Sequence, residues 1–145
     1  MASRIDLLDV NVWLALSSED HVHHDVARQY WENHASEEIA FCRLTMLGLL
    51  RLTTNSSVMA GRPFTPSEAW LLYRGFRKQD GVILLEEPSN YEVRMAAWSD
   101  QKDFSSQRWT DCALASWAYE TKSRMVSFDS GFSRFERLTF LHLSV

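Results

Sequence analysis

The chain has 145 residues, 46% of them hydrophobic and 23% charged. That is the size and balance of one globular domain with a buried core, and it excludes a disordered or collagen-like chain. Fifteen Lys and Arg against nineteen Asp and Glu leave a net charge of −4, which argues against a protein that holds nucleic acid by bulk positive charge and does not exclude an enzyme whose working carboxylates supply the excess.

Ile5 to Leu8 is a short apolar run ending at Asp9 and predicts a buried strand. Val10, Trp13, Leu14 and Leu16 follow at helical spacing, up to a break at Ser17-Ser18-Glu19-Asp20. Val26, Tyr30 and Trp31 give an amphipathic helix from His24 to His34. Ile39 to Cys42 is a second strand, and Leu44, Leu47, Leu50 and Leu52 continue as a helix. Thr53 to Pro63 is polar and reads as a loop. Thr65-Pro66-Ser67-Glu68 is then a strong helix start: Thr65 caps, Pro66 suits the first turn, and Glu68 completes a capping box. That helix stops near Asp80-Gly81. Val82 to Leu85 is a third strand. Tyr91, Met95 and Trp98 mark a helix, and Thr110-Asp111 opens another with Leu114 and Trp117 on one face. Met125 to Phe128 is a fourth strand ending at Asp129, and Phe140 to Leu143 is a candidate fifth. Strands alternating with helices imply a mostly parallel sheet of four to five strands covered on both faces, a three-layer α/β/α sandwich.

Cys42 and Cys112 lie far apart in apolar runs, as buried thiols of a reducing compartment do. Met-Ala-Ser-Arg leads straight into the first strand with no targeting pattern. The longest near-apolar stretch, Leu44 to Leu50, is far short of a membrane helix. A soluble, cytoplasmic chain forming a single domain over 1–145 is the expectation.

In open parallel sheets, ligands sit beyond the carboxyl ends of the strands. Asp9 and Asp129 fall at two such ends, and Asp111 lies in the first turn of a helix aimed at the same edge. Each has an ordinary alternative as a cap, a partner of the helix dipole or a turn residue. Together they form a carboxylate cluster, which repels itself unless a cation neutralises it. Oxygen-only ligation suits Mg²⁺ or Mn²⁺.

Leu7-Leu8-Asp9-Val10-Asn11-Val12-Trp13-Leu14, then Arg43-Leu44-Thr45, then Thr110-Asp111-Cys112-Ala113-Leu114-Ala115, then Val126-Ser127-Phe128-Asp129-Ser130-Gly131-Phe132 match in order and spacing over nearly the whole chain. This combined pattern resembles the PIN-domain family, and within it the VapC toxins of type II toxin–antitoxin systems. The resemblance implies a PIN-like fold and a Mg²⁺-dependent endoribonuclease that leaves a 5′-phosphate. It also implies a homodimer, silenced by a small VapB-type antitoxin. Asp9, Asp111 and Asp129 match the family's acidic positions, as metal ligands and catalytic residues. Asn11, Thr110 and Ser127 match the polar neighbours of those acids.

One position departs. The family usually carries an acid in the helix after the second strand, and some relatives read Thr-Glu-x-Gly-x-x-Arg there. This chain reads Thr45-Met46-Leu47-Gly48-Leu49-Leu50-Arg51, which puts Met46 at the acid, or Gly48 in a generic alignment. No Asp or Glu occurs from Ile39 to Ser67. A PIN domain that binds RNA or antitoxin without cutting is therefore the alternative function. Glu68 is weighed as a substitute for the missing acid, with its capping-box role as the leading reading.

Other residues are weighed beside these. His21, His23 and His24 crowd a helix entry without the further ligands zinc needs. Trp109 precedes the Thr110-Asp111 pair and is a candidate for stacking on RNA. Arg43 and Arg51 flank the helix lacking the acid and are candidates for RNA or antitoxin contact. Six Trp, eight Phe and four Tyr exceed what a small core needs and favour a dimer. A response-regulator receiver fails because none of Lys78, Lys102 and Lys122 follows a strand. A haloacid-type phosphatase fails because Asn11 stands where its second Asp belongs.

Overall fold

The strands Ile5–Leu8 (β1), Glu38–Phe41 (β2), Val82–Leu84 (β3), Arg124–Ser127 (β4) and Phe140–His142 (β5) form one sheet in the order β3-β2-β1-β4-β5. Every neighbouring pair is parallel. This is a computed structural model, and it describes residues 4–144. The Met1-Ala2-Ser3 stretch, searched above for a targeting signal, lies outside the described residues. The sheet thus has five strands and is wholly parallel, where the sequence predicts four to five and mostly parallel.

Among the described residues six α-helices accompany it: Val10–Ser17 (α1), His24–Asn33 (α2), Arg43–Thr53 (α3), Pro66–Arg77 (α4), Tyr91–Ser99 (α5) and Trp109–Glu120 (α6). None of the described helices is long and apolar enough to cross a membrane. Alternation along the strands sorts them into two layers. Leu8, Phe41, Val82 and Val126 face a core built with Trp13 of α1, Tyr30 of α2, Leu49 of α3 and Phe76 of α4. Leu7, Ala40 and Met125 face the other side, with Trp98 of α5 and Leu114 and Trp117 of α6. The aromatic residues are largely used here: Trp13 stacks on Phe41 at 3.8 Å, and Trp98 packs on Tyr119 and Phe135. The aromatic count therefore needs no partner chain to explain it.

Cys42, Leu85, Phe128 and Leu143 are predicted as strand ends but lie one residue past the strands. Cys42 leaves the sheet to cap α3, its N–H donating to Thr45 Oγ1 at 3.0 Å, whereas Leu85 and Leu143 each still donate one backbone hydrogen bond to the neighbouring strand. Thr53, read as loop, ends α3 instead, because its hydroxyl donates back to Leu49 O at 2.8 Å. α6 begins at Trp109, after a 3₁₀ turn over Ser106–Arg108. At the entry to β3, Gly81 has φ +83°, and a Cβ there would lie 2.7 Å from Glu37 O, so the turn requires glycine.

The amino ends of β1 and β4 are joined by a buried ion pair that the hydrophobic pattern does not show. Asp6 is fully buried and lies opposite Arg124. Arg124 donates to it through Nε and Nη2, both at 2.9 Å, and Nη2 also reaches His34 O. Ser36 donates through its N–H and hydroxyl, and the Tyr30 hydroxyl donates as well. Burial alone would raise the Asp6 pKa. Arg124, then Tyr30 and Ser36, outweigh it and hold the carboxyl below its ordinary range.

Removing one partner of such a pair strands a buried charge. Arg124→Met is expected to destabilise the chain by about 3–5 kcal/mol, and Tyr30→Phe by about 1.5–3 kcal/mol, both read from urea unfolding at neutral pH. A loss under about 1 kcal/mol for Arg124→Met would show that the pair contributes no more than a surface ion pair.

Candidate active site

All five strands point the same way, so their carboxyl ends share one edge. The chain runs from β1 through β2 to β3 on one side, then returns to place β4 on the other side of β1. The crevice at this reversal is where ligands bind in such sheets. Asp9 leaves β1 there and Asp129 leaves β4.

Asp9 caps α1, with Oδ1 accepting from Val10 N at 2.8 Å. Its N–H donates to Val126 O across the β1–β4 pair. Ser127, fully buried at the end of β4, donates its hydroxyl to Asp9 Oδ2 at 2.7 Å. The same Ser127 oxygen accepts from Asn11 Nδ2 at 3.2 Å and from Asp129 N at 2.9 Å. Asn11 Oδ1 in turn accepts from Phe128 N. The structure thus brings Asp9, Asn11, Ser127 and the Asp129 backbone into one network. Asp129 opens a 3₁₀ turn over Ser130–Arg134, its Oδ1 accepting from Gly131 N, and its side chain is exposed at the rim.

Asp111 is the third residue of α6. Burial first, then the charges of Asp129 and Asp9, push its pKa up to about 6, with Arg108 opposing. Asp9 is also raised, by burial first and by Asp129, although Ser127 and Val10 pull it down. The three carboxylates therefore repel one another across the crevice. Thr110 is exposed, and among the described residues it makes no hydrogen bond to them.

The donors are oxygen-only and mutually repelling, the chemistry a hard divalent cation satisfies. Among the described residues, no three His, Cys, Asp or Glu side chains are grouped closely enough to hold an ion as they stand. The fit is one of charge and donor type.

The remaining candidates fall elsewhere. Met46 is buried in the core around Trp13, and Arg43 Nη1 lies 3.3 Å from its sulfur. Gly48 packs against Val10, leaving 3.2 Å for a Cβ. Glu68 completes its capping box, accepting from Thr65 N at 2.9 Å, and so does not replace an acid at the crevice. Trp109 is 49% exposed and packs edge-on against Phe104. Arg43 and Arg51 are exposed on α3.

Two features escape the sequence reading. Arg108 offsets the charge of Asp111; its signal is the three-residue spacing that puts it one turn before the acid. His23 stacks on Phe128 at 4.7 Å, between Ser127 and Asp129 in sequence. His24 Nδ1 meets Ala15 O at 2.8 Å, and His21 Nδ1 accepts from His23 N. The histidine group thus buttresses the β4 exit.

A family profile described as "PIN domain" matches residues 7–138. Ribonuclease VapC41 of Mycobacterium tuberculosis is 34% identical over 134 residues, covering 89% of this chain and 92% of the relative. Ribonuclease VapC39 of the same species is 31% identical, covering 86% and 88%. Among solved structures, Mycobacterium tuberculosis VapC20, a Sarcin-Ricin loop cleaving toxin, superposes with a TM-score of 0.66 at 15% identity, covering 88% of this chain and 92% of that one. VapBC2 from Rickettsia felis, bound to a DNA fragment from their promoter, gives 0.68 at 13%, covering 95% and 98%.

The raised carboxyls have a consequence for stability. A carboxyl whose folded pKa exceeds its unfolded value holds more protons when folded, so stability falls as pH rises through that interval. For Asp111 the interval runs from about 4 to about 6. His21 acts in the opposite sense below its ordinary value, because burial and its neighbours lower its pKa, and Asp6 acts only below the ordinary Asp value. The difference in Tm between Asp111→Asn and the parent removes both. In chelator, Asp111→Asn is expected to gain several degrees over the parent between pH 4 and 7. A difference that stays flat across that range contradicts the mutual repulsion.

Proposed function

We propose that this chain, which belongs to the PIN-domain family, is a metal-dependent endoribonuclease, the toxin of a type II toxin–antitoxin pair. The observation that carries the reading is the carboxylate crevice at the β1–β4 reversal, on a chain with ribonuclease relatives at 34% identity over 89% of its length.

Asp9, Asp111 and Asp129 would hold the cation, Mg²⁺ or Mn²⁺. The chemistry such a cation would supply is polarisation of a phosphodiester and a lowered pKa for a bound water. The chain's own residues prepare the site. Ser127 fixes Asp9 and is itself held by Asn11 and the Asp129 N–H. Thr110 stands exposed beside Asp111, where substrate has access. Arg108 lowers the repulsion at Asp111 and presents a guanidinium to an incoming phosphate. The regulating partner would be a small VapB-type protein that places an Arg against the same carboxylates, where a guanidinium matches them and excludes the cation.

A single observation favours a second reading, a PIN domain that binds without cutting: α3 carries no acid at either Met46 or Gly48, the two residues that match the family's fourth acid position, and Glu68 is committed to a helix cap. Incubation of the purified chain with cellular RNA separates the two. Cleavage is expected with Mg²⁺ or Mn²⁺ and not with EDTA. Asp111→Asn and Asp9→Asn are each expected to reduce it by at least about 10² while the fold is kept. Intact RNA at all metal concentrations would establish the binding-only reading, and full activity in either variant would remove that carboxylate from the site.

A further inference from the structure

A second charged region lies away from the carboxylates. Six of the fifteen basic residues, and only one of the nineteen acidic ones, fall between Arg43 and Lys78. The α3–α4 hairpin therefore carries +5 in a chain of −4, leaving −9 for the rest. Its single acid, Glu68, is tied into the α4 cap.

Arg43, Leu47 and Arg51 are spaced four apart, so they form one stripe along α3, and all three are exposed. The stripe borders a shallow groove of about 280 Å³ whose α4 wall includes Trp70. Trp70 is 38% exposed, and the Arg74 guanidinium lies 5.3 Å from its ring centroid. Among the described residues none of Arg43, Arg51 and Arg74 forms an ion pair. Unpaired guanidinia gathered on one face, with an indole among them, match a polyanion that also carries flat bases.

The position of the hairpin fits the same ligand. α3 starts at the carboxyl edge of β2, and Gly48 packs on Val10, the residue after Asp9. A strand crossing the carboxylates needs cations beyond them, because the crevice itself repels phosphate. We propose that the exposed face of α3–α4 binds single-stranded RNA flanking the cut site, with Arg43, Arg51 and Arg74 neutralising phosphates and Trp70 stacking on a base. This inference rests on the ribonuclease reading above. An acidic protein segment is the competing occupant, and the test includes it.

The test measures binding without cleavage. Fluorescence anisotropy follows a labelled, unstructured RNA of about 20 nucleotides on Asp111→Asn protein in EDTA. Combined Arg43→Gln, Arg51→Gln and Arg74→Gln should keep helicity and weaken binding at least tenfold. The slope of log Kd against log salt should fall by about 2, roughly 0.7 for each lost phosphate contact. Trp70→Ala should weaken binding about tenfold with the slope unchanged, and Trp70→Phe should restore most of it. Arg4→Gln with Arg137→Gln, both preceding strands at the amino edge, should change affinity less than about twofold. The inference fails if the triple variant keeps parent affinity and slope, or if the amino-edge pair loses as much. It also fails if a glutamate-rich peptide of similar length binds as tightly as RNA with the same sensitivities, which assigns the face to a protein partner. Unchanged RNA binding by the triple variant, beside metal-dependent cleavage by the parent, overturns this surface and leaves the ribonuclease reading standing. No RNA binding and no cleavage by the parent overturns both.

Discussion

The pairing of β1 with β4 is the constraint on which the rest depends. These strands are separated by more than a hundred residues of chain, yet Asp6, Leu7 and Leu8 lie opposite Arg124, Met125 and Val126. Long-range parallel pairing carries a large closure entropy and weak local encouragement. Specific polar contacts fix it at both ends. The Asp6–Arg124 pair locks the amino end, and the Ser127–Asp9 hydrogen bond locks the carboxyl end. A slip of one residue would move Leu7 and Leu8 to the wrong cores and strand Asp6 without its guanidinium. The contacts that set the register are therefore also those that set the crevice.

The two ends of the pair treat the same residue type in opposite ways. Asp6 and Asp9 are both buried, yet the Asp6 pKa is lowered, because a guanidinium, two hydroxyls and a backbone N–H all donate to it. Asp9 receives one hydroxyl and one N–H and faces Asp129, so burial prevails and its pKa rises. Burial by itself does not decide the sign; the supply of donors does. One end is a satisfied structural pair. The other holds charge that the protein leaves partly uncompensated, which is the usual mark of a working site.

Much of this was legible in the sequence because it is local or periodic. Apolar runs of four residues gave strands, Thr65-Pro66-Ser67-Glu68 gave a capped helix, and acids just past strands gave two of the three carboxylates. Asp111 was readable from its place in the first turn of a helix. The Asp6–Arg124 pair was not, since Asp6 sits inside an apolar strand and its partners come from three distant segments. The role of Arg108 was not legible either, because it depends on the 3₁₀ turn that places it one turn before Asp111. The aromatic residues are largely used within the chain: two cores, one on each face of a five-stranded sheet, take up most of them, so their number by itself argues neither for nor against a second copy.

The position without its acid bears on how the crevice balances charge. Each carboxylate at such an edge strengthens attraction for a cation and also repulsion within the metal-free protein. Here α3 adds none: Met46 turns into the core, and Gly48 brings the helix close to Val10. Arg108 removes part of what remains at Asp111. A crevice of three carboxylates with one nearby guanidinium is less strained when empty than one of four, and it attracts a cation less. It also repels a phosphodiester less. For a substrate that is itself a polyanion, that reduction acts in the same direction as a cation-rich surface beside the site, so the departure in α3 and the basic face of the same helix work toward one end.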